Sequence, residues 1–252
     1  MARLKWGQMG SKRYETGNRN ITLYVYNPIQ KTINGVTTNY YNGVAWNGIT
    51  AIAESPSGAE ATDLWANDGK YATLRSAEQF GGTIEAYTYP DEWEACDGMV
   101  TIGGVTLGQQ KRKQFALAYI TTIGNDTKLN DFGEKLHIIY NATVNPSERA
   151  YSTINDSPEA ITFSWEYTTN PIDAGDDHKK VSLITIDSTH VDPELYAEFK
   201  LKLFGDTNTE AYLPFPKDVI AFFDNTIPEN AIYDRDGFML LDKDGFILTV
   251  SD

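Results

Sequence analysis

AITFSWEYT, residues 160–168, alternates apolar and polar side chains with a period of two. Ile161, Phe163, Trp165 and Tyr167 fall on one face, and Thr162, Ser164 and Glu166 on the other. Successive side chains of a strand point to opposite sides of the pleat, so this is the signature of a strand with one buried face and one wet one. Further strands are expected at ITLYVY (21–26), VAWNGITAIA (44–53), TIEAYTY (83–89), FALAYITTI (115–123), KLHIIYNATV (135–144) and KVSLITID (180–187). Between and beyond them lie Asn-Gly, Asp-Gly and Ser-Gly pairs beginning at Asn34, Asn42, Asn47, Ser57, Asp68, Asp97, Asp236 and Asp244. Such pairs accept positive φ and suit the turns that join antiparallel strands. The chain is therefore expected to be mainly β.

A single helix is expected over about 192–204, in STHVDPELYAEFKLKLFG. Asp192 suits the N-cap, Pro193 the first helical position and Glu194 the positive end of the macrodipole. Leu195, Phe199 and Leu203 form one apolar stripe, and Gly205 closes the helix. Together these elements predict a β-sandwich or barrel-like fold with one flanking helix.

The 252 residues include 35 acidic and 21 basic side chains, for a net charge of −14. A body this acidic is a poor ligand for the outside of a phosphate backbone, where affinity comes from Lys and Arg. Acidity also serves solubility. No apolar run reaches the roughly 18–20 residues of a membrane-spanning helix, so no bilayer crossing is expected. The N-terminal 20 residues carry basic side chains without an apolar core behind them, so no secretory signal is expected. Cys96 is the only cysteine, which excludes an internal disulfide framework and a Cys-rich zinc site and fits a reducing compartment.

Three segments depart from the strand pattern. Residues 54–82 read as a long loop rich in Pro, Gly and mixed charge, a length that compact domains usually reserve for function. Residues 1–20 read as an arm, ordered by a neighbour. Residues 225–252 form a C-terminal extension in which DRDGFMLL (234–241) is followed by the similar DKDGFILT (242–249), two short strands each opened by an Asp-Gly turn. The body of the domain is then 21–224.

Signatures of chemistry are sparse. His137, His178 and His190 stand far apart, outside any zinc-ligand spacing. His137, inside an apolar strand, reads as structural. Asp173, Asp176, Asp177 and His178 read as a solvated loop before a cation site, and Asp234, Asp236 and Gly237 lack the later ligands of a calcium loop. IGGVTLGQQKRK (102–113) lacks the Gly-Lys-Ser/Thr of a phosphate-binding loop, and Lys111, Arg112 and Lys113 read as an exposed strand end. Asp91, Glu92 and Glu94 around Trp93 resemble glycosidase carboxylates only nonspecifically. No catalytic, metal or cofactor site is expected.

Several long strings carry more information than any short motif. ATDLWANDGKYATL, FGGTIEAYTYPDEWEACDG, GQQKRKQFALAYITTIGND, KLHIIYNATVNPSERAYSTINDSPEAITFSWEYTTNP, LITIDSTHVDPELYAEFKLKLFG and LPFPKDVIAFF together resemble the major tail tube protein of long-tailed (siphovirus-type) bacteriophages of Gram-positive hosts. The resemblance runs from about residue 40 to 224. It implies a non-enzymatic virion protein without cofactors, assembled in the bacterial cytoplasm into hexameric rings that stack into the tail tube. It implies as partners further copies of the chain, a tape-measure protein, a tail terminator and distal tail or baseplate proteins, with DNA passing through the lumen without specific binding. It also places in the 54–82 loop the contact with the adjoining ring.

Leu64, Trp65, Tyr71 and Leu74 are the candidate apolar anchors there, because interface cores favour aromatics. Packing beneath the chain's own loop is the competing expectation for these four residues. A glycan-binding β-sandwich module of a phage tail or surface protein, with exposed Trp and Tyr stacking on sugars, is the alternative function. An enzyme using the acid-rich loops is the third.

Overall fold

The computed structural model describes residues 6–33, 36–154, 156, 159–175 and 178–224. The expected turns at Asn34-Gly35, Asp236-Gly237 and Asp244-Gly245, the C-terminal repeat, and Asp176 and Asp177 of the acidic loop lie outside these residues. Among the described residues fifteen strands occur in chain order. They are β1 (Arg13–Ile33), β2 (Val36–Tyr40), β3 (Val44–Ala45), β4 (Ile49–Glu54), β5 (Ser57–Gly58), β6 (Ala61–Ala66), β7 (Gly69–Arg75) and β8 (Glu78–Gln79). After them come β9 (Gly81–Ala86), β10 (Val100–Ile102), β11 (Val105–Leu107), β12 (Phe115–Asn125), β13 (Leu129–Val144), β14 (Phe163–Thr169) and β15 (Leu183–Asp187). Two helices follow, α1 (Pro193–Phe204) and α2 (Pro216–Phe223).

Nine strands form one antiparallel sheet in the order β2-β1-β12-β13-β14-β9-β4, with β15 added to β13 and β3 to β1. The sheet is sandwich-like and does not close into a barrel. Its turning point is in β13. Residues Lys135–Ile139 pair with β15, whereas Ala142–Val144 pair with β14. Between them the register with β12 slips, and Asn141 takes a φ of 51°. A bulge of this kind bends a strand and increases its twist, and Asn tolerates the left-handed conformation better than other non-glycine residues. The bend is held on both sides. The Asn141 N–H donates to Tyr40 Oη at 3.1 Å, and Asn141 Nδ2 donates to the Asn170 carbonyl at 2.9 Å.

Bending β13 turns the β14-β9-β4 half of the sheet against the β1-β12 half. Leu23, Phe115, Leu117, Ile139, Ile84, Trp165 and Tyr167 meet in the core between them. Trp46, Trp93 and Trp165 form its aromatic centre, with ring centroids 4.4 Å apart for Trp46 and Trp93 and 5.4 Å for Trp93 and Trp165. A second core lies on the opposite face of β12 and β13. There Ala116, Ala118, Ile120, Leu136, Ile138 and Tyr140 are covered by Tyr196, Phe199 and Leu203 of α1 and Val219 of α2. Burial on both faces explains why FALAYI reads as a continuous apolar run where β14 alternates.

The expected cap of α1 forms, with Asp192 Oδ1 accepting from the N–H groups of Glu194 at 2.9 Å and Leu195 at 3.1 Å. Gly205 ends the helix at a φ of 72°. The buried stripe is Tyr196, Phe199 and Leu203, and Leu195 is only half-buried. A second helix, α2, joins the single one expected. Pro216 opens it, and its Phe222 and Phe223 rings lie 5.5 and 5.1 Å from Phe199.

Other expectations shift at their boundaries. The 44–53 strand splits at Asn47-Gly48, where Gly48 has a φ of 85° and Trp46 drops into the core. The 83–89 strand stops at Ala86, before a 3-10 turn at Asp91–Ala95 that begins after Pro90. The N-terminal segment joins the sheet from Arg13, pairing with β12, and Glu15 forms an ion pair with Lys135. A β-branched residue at position 141 would have to adopt a left-handed backbone, at about 1–2 kcal/mol. We therefore expect Asn141→Val to lower the unfolding free energy by at least that much more than Asn141→Gly. Equal midpoints and slopes in urea titrations of the two variants would refute the account.

Candidate assembly interface

Residues 54–82, expected as a loop, are instead a β-ribbon. The β4–β9 ladder ends with Glu54 opposite Gly82, and pairing resumes at Ser57 with Gln79 and Gly58 with Glu78. It continues from Ala61 opposite Arg75 to Ala66 opposite Gly69. Asn67 and Asp68, with φ of 51° and 57°, make the two-residue turn, as tight antiparallel hairpins require. The twelve residues 55–66 lead up to the turn, so the ribbon reaches at most about 40 Å beyond the sheet. Its outer strands, β6 and β7, pair only with each other among the described strands.

The four candidate anchors all sit on this outer part, and none enters either core. Trp65 is 70% exposed and Tyr71 76%; Leu64 and Leu74 are exposed as well. The structure thus removes the alternative that they pack beneath their own loop. Thr62 opposes Leu74 and Leu64 opposes Ala72, so Leu64 and Leu74 are diagonal neighbours on one face. Tyr71 sits where the register slips between Leu64 and Trp65. Asp63 pairs with Lys70 Nζ at 2.7 Å and accepts from Thr73 Oγ1 at 2.8 Å. These contacts, Lys70 first, hold its carboxyl below the ordinary aspartate range. A two-stranded ribbon alone in water is marginally stable, and this one is tied mainly by its own backbone ladder.

The root of the ribbon is anchored more firmly. Tyr119 Oη donates to Glu54 Oε1, and His137 Nδ1 lies 3.3 Å from the same oxygen. The His137 ring stacks on Tyr119 at 4.7 Å, and its Nε2 lies 3.0 Å from Thr121 Oγ1, as befits a structural histidine. Opposite Glu54, Gly82 leaves no room for a side chain, because a Cβ there would overlap the Ala53 carbonyl and Tyr167 Oη.

The remaining residues considered for chemistry are dispersed. Trp93 is fully buried, so the Asp91, Glu92 and Glu94 turn surrounds a core residue and offers no sugar platform. Burial pushes the Cys96 thiol up to about 12, which keeps it protonated at neutral pH. Asp173, His178 and His190 are exposed. Among the described residues no group of three His, Cys, Asp or Glu side chains converges on a metal-sized site. Asp97 is buried with its carboxylate against Arg149, 3.6 Å from Arg112 and 3.0 Å from Trp165 Nε1, and so ties two surface loops to the core.

The residues missed in the sequence are 100–107, which overlap the start of the 102–113 stretch. Val100–Ile102 and Val105–Leu107 form a hairpin about Gly103 and Gly104, both at positive φ. The signal was the alternation V-T-I-G-G-V-T-L, a Gly-Gly turn between two period-2 triplets. No family model matches the chain, and no curated protein matches it.

Two outcomes follow from this geometry. Exposed side chains outside both cores contribute little to folding, so Trp65→Ser with Leu74→Ser should shift the unfolding free energy by no more than about 0.5 kcal/mol each. A larger loss in urea titration would place them in a core. Glu54 behaves differently, because its carboxyl is held below the ordinary glutamate value, chiefly by His137. As the pH falls, the unfolded chain takes up that proton first. The stabilisation is complete above about 4.3, the unfolded glutamate value, and vanishes as the pH falls through the folded value. Wild type should lose its advantage over Glu54→Gln between about pH 5 and pH 3. A gap that stays constant across that range would overturn the assignment.

Proposed function

We propose that this chain is a structural, self-assembling subunit of a long bacteriophage tail tube, forming rings that stack into a conduit for the genome. The observation that carries this reading is the ribbon. It projects beyond the sheet and holds Leu64, Trp65, Tyr71 and Leu74 in water, where large apolar groups cost free energy until a partner covers them. The long strings that resemble tail tube proteins include this segment, ATDLWANDGKYATL, whole. A projecting ribbon and the surface that receives it are different patches of one chain. Contacts of that kind are heterologous, closing into rings or propagating as filaments.

The charge supports the same reading. Duplex DNA carries about one charge per 1.7 Å of axis, and a basic channel would hold it. A chain at −14 supplies walls that repel phosphate and let DNA slide. On the outer face of the β14-β9-β4 half, Glu85 lies opposite Ser164 and Glu166 opposite Thr83, with no Lys or Arg in any of the three strands.

Negative-stain electron microscopy of the concentrated protein, together with protein identification in purified virion tails, tests the proposal. Rings or tubes with a central channel, and this chain as the main component of tails, are the expected result. Tails that lack the chain, or a discrete monomer that binds sugar, would overturn it.

A further inference from the structure

The hairpin formed by β10 and β11 has two unlike faces. On one, the Thr101 hydroxyl donates to Glu94 Oε2 at 2.6 Å and lies 2.7 Å from Thr106 Oγ1, which fastens the hairpin to the 3-10 turn. On the other, Val100 opposes Leu107 and Ile102 opposes Val105, so four aliphatic side chains share one surface. All four are exposed, Ile102 by 66% and Val105 by 63%. A four-residue aliphatic face fastened from behind and left in water has the form of a docking surface.

Charge identifies the occupant. From Met99 to Gln114 the chain has no acidic residue, and it carries Lys111, Arg112 and Lys113. Lys111 is exposed without an ion-pair partner among the described residues, whereas Arg112 is turned inward to Asp97. Two copies of this hairpin docked on each other would bring like charges together, which disfavours a symmetric contact. The outer ribbon is the complementary surface. Besides the Asp63–Lys70 pair, which lies on the opposite face from Leu64 and Leu74, the ribbon carries Glu60, Asp68 and Glu78 against only Arg75. Glu60 and Asp68 are exposed and have no ion-pair partner among the described residues.

We infer that the aliphatic face of hairpin 100–107 receives the Leu64 and Leu74 face of the ribbon from a second copy of this chain, with Lys111 beside the ribbon's carboxylates. This rests on the self-assembly reading above and assigns the receiving surface, which that reading leaves open. The contact is heterologous, so each copy offers one ribbon and one hairpin, and the chain propagates.

Full-length Leu64→Cys and Ile102→Cys proteins, mixed, assembled and oxidised, test the contact. A disulfide-linked dimer that contains one chain of each kind, and that neither variant yields alone, is expected. Tubes that assemble from the mixture without that dimer would overturn the assigned contact and leave the tube reading intact. Wild-type chain that forms no rings or tubes and is missing from virion tails would overturn both. A second pair of variants reads the charge. Lys111→Glu should reduce tube yield and Asp68→Lys in the same chain should restore it, and unchanged yield with Lys111→Glu would refute the charge pairing.

Discussion

The architecture depends on the bend of β13 at Asn141. A strand of sixteen residues that stayed straight would extend a single sheet with one face bare. With a left-handed residue in its path, the same strand serves two half-sheets and turns one over the other. The bend frees a backbone N–H, and the Tyr40 hydroxyl accepts it, so the deformation leaves no unsatisfied donor there. Trp46, Trp93 and Trp165 can meet only because the two halves face each other.

Burial then follows from position in the layers. Strands β12 and β13 lie between the aromatic core and the helices and are apolar on both faces. Strand β14 lies on the outside and alternates. Glu134 of β13 binds α1 to the sheet, taking Arg19 of β1 at 2.6 Å and Lys200 of α1 at 2.7 Å. Tyr24 and Tyr140 donate to the Leu203 and Pro214 carbonyls from within the core. These buried hydroxyls fix the helices to the sheet in one orientation where apolar packing alone is tolerant.

Against that well-packed body, the ribbon and the 100–107 hairpin each gather four large apolar side chains left in water. Each is a minimal two-stranded ladder, and each is pinned at its base by polar contacts, Glu54 with Tyr119 in one case and Thr101 with Glu94 in the other. A rigid base with an exposed apolar end suits a surface that must find a partner without unfolding its own domain. On the proposed assembly reading, the energetic logic is that of an interface half formed.

Local sequence determined the parts whose signals are local. Period-2 alternation marked β14, and the Asp192, Pro193 and Gly205 punctuation marked α1, because a cap or a pleat is decided by neighbours in the chain. It also singled out 54–82 as unlike the packed strands and Leu64, Trp65, Tyr71 and Leu74 as its apolar members. Tertiary structure decided that this segment is a ribbon. Backbone pairing between residues up to 28 positions apart, Glu54 with Gly82, leaves little trace in composition when both faces are wet. It likewise decided which side of α1 faces inward, bringing Tyr196 in and leaving Leu195 half out, since the choice belongs to the sheet beneath. The bend at Asn141 was hidden inside KLHIIYNATV, which reads as one strand. A positive φ there is favourable only once Tyr40, one hundred and one residues away, is in place to accept the freed N–H.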